Sequence, residues 1–214
     1  MPEASNAKVS AVSLVLALLI LLLCSSGSAP VSCNFEPSAQ FKATCRIRVG
    51  GGQGSGTLIA VSDDEALVLS CRHVGQSVNA IAQLEWPSAV DQKTTGRVLA
   101  NVAGTTYNND LSLFICDRPN GIEPVRMAKF DPNNGPWTAV GFKSDQCYEA
   151  IGDVASEKDG LVTVNCPWTQ GMSGCGLFDK YGCIVAVIVA SDMKSFGLCS
   201  DGIALHELVR KYAD

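Results

Sequence analysis

Short apolar runs alternate with turn signals along most of the chain from residue 45 onward. The turns recur about every 8 to 15 residues, and no amphipathic helical pattern lies between them, which favours an all-β barrel or sandwich over βαβ units. The pattern predicts twelve strands, at 45–49, 56–62, 65–70, 79–85, 95–102, 111–116, 123–127, 137–142, 146–154, 161–165, 175–178 and 183–190.

Helical spacing appears only near the end of the chain, where it predicts a C-terminal helix of about ten residues. The apolar positions that carry this pattern are Ile203, Leu205, Leu208, Val209 and Tyr212. A short helical turn is also expected after His73.

The glycine-rich stretch from Gly50 to Gly56 is interpreted as a flexible turn that leads into a strand starting at Thr57. A phosphate-binding loop is rejected, because no Lys-Ser/Thr pair follows and the G-x-G-x-x-G spacing is absent.

An apolar segment at 9–23 follows Lys8 and precedes the small, polar stretch 25–29. Its length fits a secretory signal better than a spanning helix, which needs about 20 apolar residues. We therefore expect residues 1–29 to be a signal peptide or an N-terminal membrane anchor, and 30–44 to be a linker. Both alternatives place the domain at 45–214 outside the cytoplasm.

Composition limits the partners and the cofactors. A net charge of −5 argues against nucleic acid, because neutralising phosphates needs a basic face. Ten cysteines fit an oxidising compartment, where most of the nine outside the leader would form disulfides and at least one would stay free. A zinc site is not expected, because no C-x-x-C spacing occurs and the chain has only two histidines. No cofactor is expected.

The sequence Gly171-Met172-Ser173-Gly174 puts a serine between two glycines in a tight turn. Neighbours without a Cβ tolerate unusual φ/ψ angles, so the hydroxyl can project and backbone N–H groups can face an oxyanion. Taken alone, this motif is more often a plain turn than a catalytic one. A base and an orienting group must come from elsewhere.

His73 and Asp110 are the candidates for these two roles. His73 follows an apolar strand at its exit into a loop, whereas His206 lies in the predicted terminal helix and is interpreted as a surface residue. Asp110 directly precedes the apolar strand at 111–116, where a carboxylate at the edge of a core needs a partner. A histidine N–H would satisfy it and fix the tautomer whose other nitrogen accepts a proton.

Four motifs, taken in order, resemble the trypsin-like (chymotrypsin-fold) serine proteases, and most closely their compact bacterial branch that includes the high-temperature-requirement proteases. The motifs are Gly54-Ser55-Gly56-Thr57, Leu69-Ser70-Cys71-Arg72-His73-Val74, Asn109-Asp110-Leu111-Ser112-Leu113 and Gly171-Met172-Ser173-Gly174-Cys175-Gly176. The resemblance covers residues 45 to 214. It implies two six-stranded antiparallel β-barrels, with a short C-terminal helix, and the chain order His, Asp, Ser that this fold uses.

The same resemblance implies the roles of the site residues. Ser173 would be the nucleophile, His73 the general base and Asp110 the orienting carboxylate, and the oxyanion hole would be the N–H groups of Gly171 and Ser173. The substrate pocket would lie between 167–170 and 189–192, with no carboxylate at its floor to favour Lys or Arg. The pocket residues expected to bind substrate are Pro167, Trp168, Ala190 and Ser191.

Three residues depart from the family pattern. Met172 stands where digestive members have an aspartate that receives a new N-terminus, so activation by that salt bridge is not expected. Cys175 replaces a glycine just after the nucleophile, and Cys71 replaces a small residue before the histidine. Both would be either buried small side chains or members of unfamiliar disulfides, and a distorted turn at Cys175 would impair the oxyanion hole.

The sequence therefore predicts a secreted or membrane-anchored serine endopeptidase that cleaves peptides or proteins through an acyl-enzyme, without metal or cofactor. Two alternatives stay open. One is a catalytically silent, protease-like domain that binds peptides or a protein partner, and the other is a disulfide-stapled structural domain.

Overall fold

The structure is a computed structural model that describes residues 38–88, 92–102, 110–158, 161–165, 170–191, 196–200 and 209–210. The chain divides into two compact units, Met1–Glu36 and Pro37–Asp214. All described residues belong to the second unit, so the predicted leader at 9–23 lies outside them. Within the described ranges, no helix is long and apolar enough to cross a membrane.

The first half of the second unit forms a closed antiparallel barrel in the strand order β1-β2-β3-β6-β5-β4. Antiparallel pairing of β1 with β4 closes this barrel. Its strands are β1 (Thr44–Val49), β2 (Gly52–Val61), β3 (Glu65–Ser70), β4 (Ile81–Trp86), β5 (Gln92–Asn101) and β6 (Ser112–Asp117).

Side-chain alternation explains why these segments form a barrel. Along Ile81–Trp86, buried positions alternate with exposed or half-buried ones, as expected of a strand with one face towards a core. The inward positions of this strand and of the other strands carry apolar side chains with no exposed surface. They include Leu58, Val68, Leu84, Val98 and Phe114.

The second half forms another closed antiparallel barrel, in the strand order β10-β11-β12-β9-β8-β7. The predicted architecture of two six-stranded barrels is therefore confirmed. The strands are β7 (Trp137–Lys143), β8 (Gln146–Lys158), β9 (Leu161–Asn165), β10 (Gly176–Phe178), β11 (Ile184–Ser191) and β12 (Phe196–Ser200).

Helices are few and short in the described residues. They are α1 (Ala39–Lys42), α2 (Arg72–Gly75) and a 3₁₀ turn at Pro132–Asn134. Helix α2 is the turn expected near His73, although it begins one residue before the histidine. The predicted C-terminal helix lies outside the described residues except at Val209 and Arg210, which are helical.

The predicted strand at 123–127 is wrong. This segment links the barrels and makes isolated contacts with each: Val125 N–H donates to the carbonyl of Leu58, and Ile184 N–H donates to the carbonyl of Arg126. Its only β contact among the described residues is a bridge between Met127 and Ile184. The twelfth strand is instead β12, which the sequence analysis did not predict.

The glycine-rich stretch also differs from its interpretation. The turn is confined to Gly50 and Gly51, and β2 already begins at Gly52. Close packing explains the glycines inside this strand. A Cβ at Gly54 would lie 2.8 Å from the carbonyl oxygen of Ser173, so only glycine lets the two segments approach.

The part of the chain that the structure describes shows none of the disulfides that the sequence predicts. Its free thiols include Cys45, Cys71, Cys116, Cys147 and Cys183. Most of these side chains pack as small apolar groups, and Cys45 and Cys71 have no exposed surface.

Candidate active site

Pairing of β3 with β6 brings His73 and Asp110 together. In this ladder Ser70 faces Ser112, so the residues just after β3 and those just before β6 lie at the same end of the barrel. The chain then enters α2, and Arg72 N–H donates to the carbonyl of Asp110 over 3.2 Å. The sheet register therefore fixes which histidine meets which carboxylate.

Asp110 holds His73 through two hydrogen bonds. Its Oδ2 atom lies 2.6 Å from Nδ1 of the imidazole, and its Oδ1 atom accepts the backbone N–H of His73 over 2.9 Å. With the Nδ1 proton directed at the carboxylate, Nε2 of His73 is left with a lone pair. This is the tautomer that a general base needs.

Burial of Asp110 favours its neutral form and opposes ionisation. His73 favours the ionised form through its hydrogen bonds and its charge, and the charge of Arg72 adds to this effect. Together they outweigh burial and lower the pKa of Asp110 below its ordinary value. The carboxylate is thus ionised at neutral pH beside the imidazole, where it would stabilise an imidazolium.

The turn that carries Ser173 depends on its two glycines. Gly171 has φ of +100° and Gly174 has φ of +86°, both in the region that side chains disfavour. Cys175 N–H closes the turn on the carbonyl of Met172 over 3.0 Å. Met172 is buried among apolar residues of the second barrel, so the position holds a packing residue in place of an acid.

Ser55 connects the two barrels at this turn, a role that is not predicted from the sequence. Its N–H donates to the carbonyl of Ser173 over 2.8 Å, and its hydroxyl donates to the carbonyl of Gly171 over 3.0 Å. The same hydroxyl accepts the N–H of Phe142 over 2.8 Å. The sequence carries a signal for this role, because Ser55 lies directly between Gly54 and Gly56.

The opposite side of Ser55 contacts the histidine segment. The carbonyl of Ser55 accepts the hydroxyl of Ser70 over 2.7 Å, and Ser70 is the last residue of β3 before α2. A Cβ at Gly174 would overlap both the Ser70 hydroxyl and the Ser55 carbonyl oxygen. The turn that carries Ser173 and the segment that leads to His73 therefore pack tightly against each other.

Cys175 is accommodated without opening the turn. Its carbonyl accepts Ile188 N–H over 2.9 Å, and Gly174 N–H donates to the carbonyl of Ile188 over 2.7 Å. Space for its side chain comes from Gly141, where a Cβ would lie 2.6 Å from that of Cys175. Of the two alternatives expected for Cys175, the structure shows the buried small side chain.

Cys71 lies beside the imidazole. Its Sγ atom is 3.6 Å from Nε2 of His73. Burial raises the pKa of the Cys71 thiol above its ordinary range, and the charge of Asp110 raises it further, so Cys71 is a neutral thiol.

No hydrogen bond joins the Ser173 hydroxyl to His73 in the part of the chain that the structure describes; Nε2 has Cys71 as its neighbour instead. Catalytic hydrogen bonds often form only in the substrate complex, so the role of Ser173 as nucleophile stays a prediction. Its N–H and that of Gly171 find no acceptor among the described residues. Two backbone donors beside Ser173 are what an oxyanion hole requires.

The predicted substrate-binding residues are only partly described. Pro167 and Trp168 lie outside the described residues. Ala190 and Ser191 end β11, where they pair with Leu198 and Gly197 of β12. Their strand position is as predicted, and their role in binding substrate stays a prediction.

The fold and these motifs define a class of protein, and comparison with known families identifies it. Residues 54–187 match the family model of the trypsin-like peptidase domain. The match spans more than half of the chain. The protein therefore belongs to the trypsin-like peptidase family and is a serine-type endopeptidase. No curated protein sequence matches it significantly.

Solved structures show the same fold at low sequence identity. The inactive form of the Rv3671c protease of M. tuberculosis H37Rv matches with a TM-score of 0.62 and 16% identity, over 82% of this chain and 91% of that one. A human pathogenic astrovirus serine protease matches with a TM-score of 0.56 and 17% identity, over 78% and 91%. Deg5 matches with a TM-score of 0.56 and 18% identity, over 79% and 86%.

Proposed function

We propose that the protein hydrolyses peptide bonds through a Ser173-His73-Asp110 triad and an acyl-enzyme. The observation that carries the proposal is the pair of hydrogen bonds that His73 donates to the carboxylate of Asp110, at 2.6 and 2.9 Å. They hold the imidazole in the tautomer that accepts a proton at Nε2. An isolated surface histidine would not need a half-buried carboxylate at this position.

The chemistry follows from these positions. His73 takes the hydroxyl proton of Ser173 as the oxygen attacks the scissile carbonyl, and Asp110 stabilises the imidazolium that forms. The N–H groups of Gly171 and Ser173 bind the oxyanion. His73 then protonates the leaving amine, and water releases the acyl group from Ser173 by the reverse path.

Labelling with a serine-directed phosphonate probe tests this proposal. The wild type is expected to form a covalent adduct, and both Ser173→Ala and His73→Ala are expected to lose it. Ser62→Ala is the matched control, because Ser62 is exposed. If folded wild type takes up no more label than Ser173→Ala, the alternative of a silent, peptide-binding domain replaces the proposed triad.

We also propose that the domain acts outside the cytoplasm, as a secreted or membrane-anchored enzyme on protein or peptide substrates. The apolar segment at 9–23 supports this proposal. Expression of the full chain, followed by cell fractionation and N-terminal sequencing, tests it. A cleaved N-terminus near residue 29 indicates secretion, an intact chain in the membrane fraction indicates anchoring, and a soluble cytoplasmic chain contradicts both.

A further inference from the structure

A cluster of three metal-ligating side chains includes one that the proposed triad does not use. Cys71, His73 and Asp110 each offer a donor atom, and these atoms lie within 4.8 Å of one another. Cys71 and His73 are separated by one residue across the start of α2. This spacing does not resemble a zinc motif, which explains why the sequence predicts no metal site.

The distance between two of these atoms suits a tetrahedral zinc ion. Zinc binds a cysteine sulfur at about 2.3 Å and a histidine nitrogen at about 2.0 Å, so a tetrahedral angle sets the two ligands about 3.5 Å apart. Sγ of Cys71 and Nε2 of His73 are 3.6 Å apart. The ion would need little movement of the backbone to bridge them.

Asp110 supplies the partner that metal-binding histidines usually have. It accepts the Nδ1 proton of His73, which leaves the lone pair of Nε2 available to an ion. A carboxylate in this outer position fixes the ring orientation and makes the histidine a stronger ligand. One thiolate and one imidazole favour zinc over the harder ions magnesium and calcium.

We propose that Cys71 and His73 bind one Zn²⁺ ion between Sγ and Nε2, with Asp110 orienting the imidazole. Binding breaks the S–H bond of Cys71, forms the sulfur–zinc bond and releases one proton to solvent. The side chain of His73 is 47% exposed, so water can complete the coordination.

The consequence for activity rests on the proposed function. Zinc on Nε2 occupies the lone pair that would accept the proton of Ser173. Zinc is therefore a reversible inhibitor of this peptidase. The inhibition depends on Cys71, because Cys71 supplies one of the two ligands.

Direct metal binding is tested first, with no need for activity. Reduced, full-length protein is titrated with Co²⁺ as a probe for zinc, and the thiolate-to-cobalt absorption band is recorded. Wild type is expected to develop the band at one equivalent and to lose it when Zn²⁺ is added. Cys71→Ala is expected to show no band. Asp110→Asn is expected to weaken Co²⁺ binding by about 10- to 100-fold.

Two further variants keep this test decisive. His73→Ala removes a ligand whose side chain is about half exposed, and it is expected to abolish binding even if Cys71→Ala folds poorly. Cys147→Ala, which removes a half-buried thiol on β8, is the matched control and is expected to keep the band. A wild type with no band, or a band that persists in folded Cys71→Ala, overturns the inference.

Inhibition is tested separately by phosphonate labelling of Ser173. Zn²⁺ is expected to block labelling of wild type and Cys147→Ala, and a chelator is expected to restore it. Labelling of Cys71→Ala that zinc blocks equally well overturns the inference. If no labelling occurs without zinc, the proposed triad fails, and metal binding is judged on the cobalt band alone.

Discussion

The hydroxyl of Ser55, in the first barrel, donates a hydrogen bond to the carbonyl of Gly171, in the second, over 3.0 Å. This bond fixes the peptide that follows one of the two proposed oxyanion donors. Because Ser55 also donates its N–H to the carbonyl of Ser173, one residue positions both ends of the turn that carries Ser173. The two barrels are thus aligned at the atoms where charge would develop.

Ser55→Ala should lower kcat more than it changes KM. The exchange removes the bond to Gly171 and leaves the buried N–H of Phe142 without its acceptor. We expect kcat to fall by roughly 10- to 100-fold through misplaced oxyanion donors. Stability should fall by about 1–3 kcal/mol. Steady-state kinetics and urea unfolding measure the two effects.

The exposed residue Ser62 provides the control for this exchange. Ser62→Ala should leave kcat, KM and the urea midpoint near wild-type values, because its hydroxyl bonds only within its own turn. If Ser55→Ala loses stability while keeping its kcat, Ser55 is a packing residue and does not position the turn.

Asp110→Asn should leave the fold intact and reduce the labelling rate of Ser173 by about 10⁴-fold. An amide in place of the carboxylate favours the wrong imidazole tautomer, an effect of this size in other Ser-His-Asp enzymes. The rate of phosphonate adduct formation measures it. Asp63→Asn, at an exposed position, is the control. A decrease of less than about tenfold would show that Asp110 does not orient the base.

Gly174→Ala should destabilise the protein far more than Gly121→Ala, although both glycines have positive φ. The side chain at 174 would overlap the Ser70 hydroxyl and the Ser55 carbonyl, whereas the space at 121 is open. Strain and overlap together should cost about 2–5 kcal/mol at 174, and strain alone about 1 kcal/mol at 121. Urea unfolding compares them, and equal losses would contradict this packing.

Much of this site was predictable because its residues carry local signals. Two glycines around Ser173, and an acid that directly precedes the apolar strand at 111–116, are visible in the sequence. What brings Asp110 to His73 is the register of β3 against β6, a contact between segments far apart in the chain. That contact was inferred through resemblance to a family, because local pattern cannot specify strand register.

The features that the sequence predicts wrongly, or does not predict, also have physical causes. Residues 123–127 have the apolar alternation of a strand, but their backbone groups bond to a different barrel at each end. The sequence pattern does not predict strand β12, because a glycine interrupts it. Hydrogen bonds with β9 and β11 hold this segment as a strand. The sequence shows Ser55 only as part of a motif, because its role depends on carbonyls from the other barrel.

Gly141 and Cys175 should behave as a coupled pair. Gly141→Ala would bring a Cβ to 2.6 Å from that of Cys175, so overlap should cost about 1–3 kcal/mol. Cys175→Gly removes that neighbour and restores the residue usual in the family. In the double variant we expect the cost of Gly141→Ala to shrink, though not to vanish, because the Ser55 hydroxyl stays 3.1 Å away.

A double-mutant cycle of urea unfolding measures this coupling. The expected interaction energy is about 0.5–3 kcal/mol, the range for residues in contact. Additive costs would mean that the second barrel relaxes around Gly141 independently of Cys175.

Stability should depend on pH through Glu85, which receives hydrogen bonds from Arg46 and an ion pair from Lys93 over 3.3 Å. Burial of Glu85 raises its pKa, but Arg46 and then Lys93 and Arg48 outweigh burial and lower it below the ordinary value. The unfolded chain therefore binds a proton at higher pH than the folded chain. The stabilisation from Glu85 is present above the ordinary glutamate pKa of about 4.3 and is lost as pH falls through the folded value.

Urea unfolding from pH 7 to pH 3 checks this dependence in wild type and Glu85→Gln. The difference in the free energy of unfolding should be constant above about pH 5 and should shrink as the pH falls further, because protonation makes the wild type resemble the variant. Glu123→Gln, at an exposed position, should show no such trend. A wild-type advantage that stays constant down to pH 3 would mean that the charge of Glu85 contributes nothing to stability and that its role is confined to packing beside Arg46.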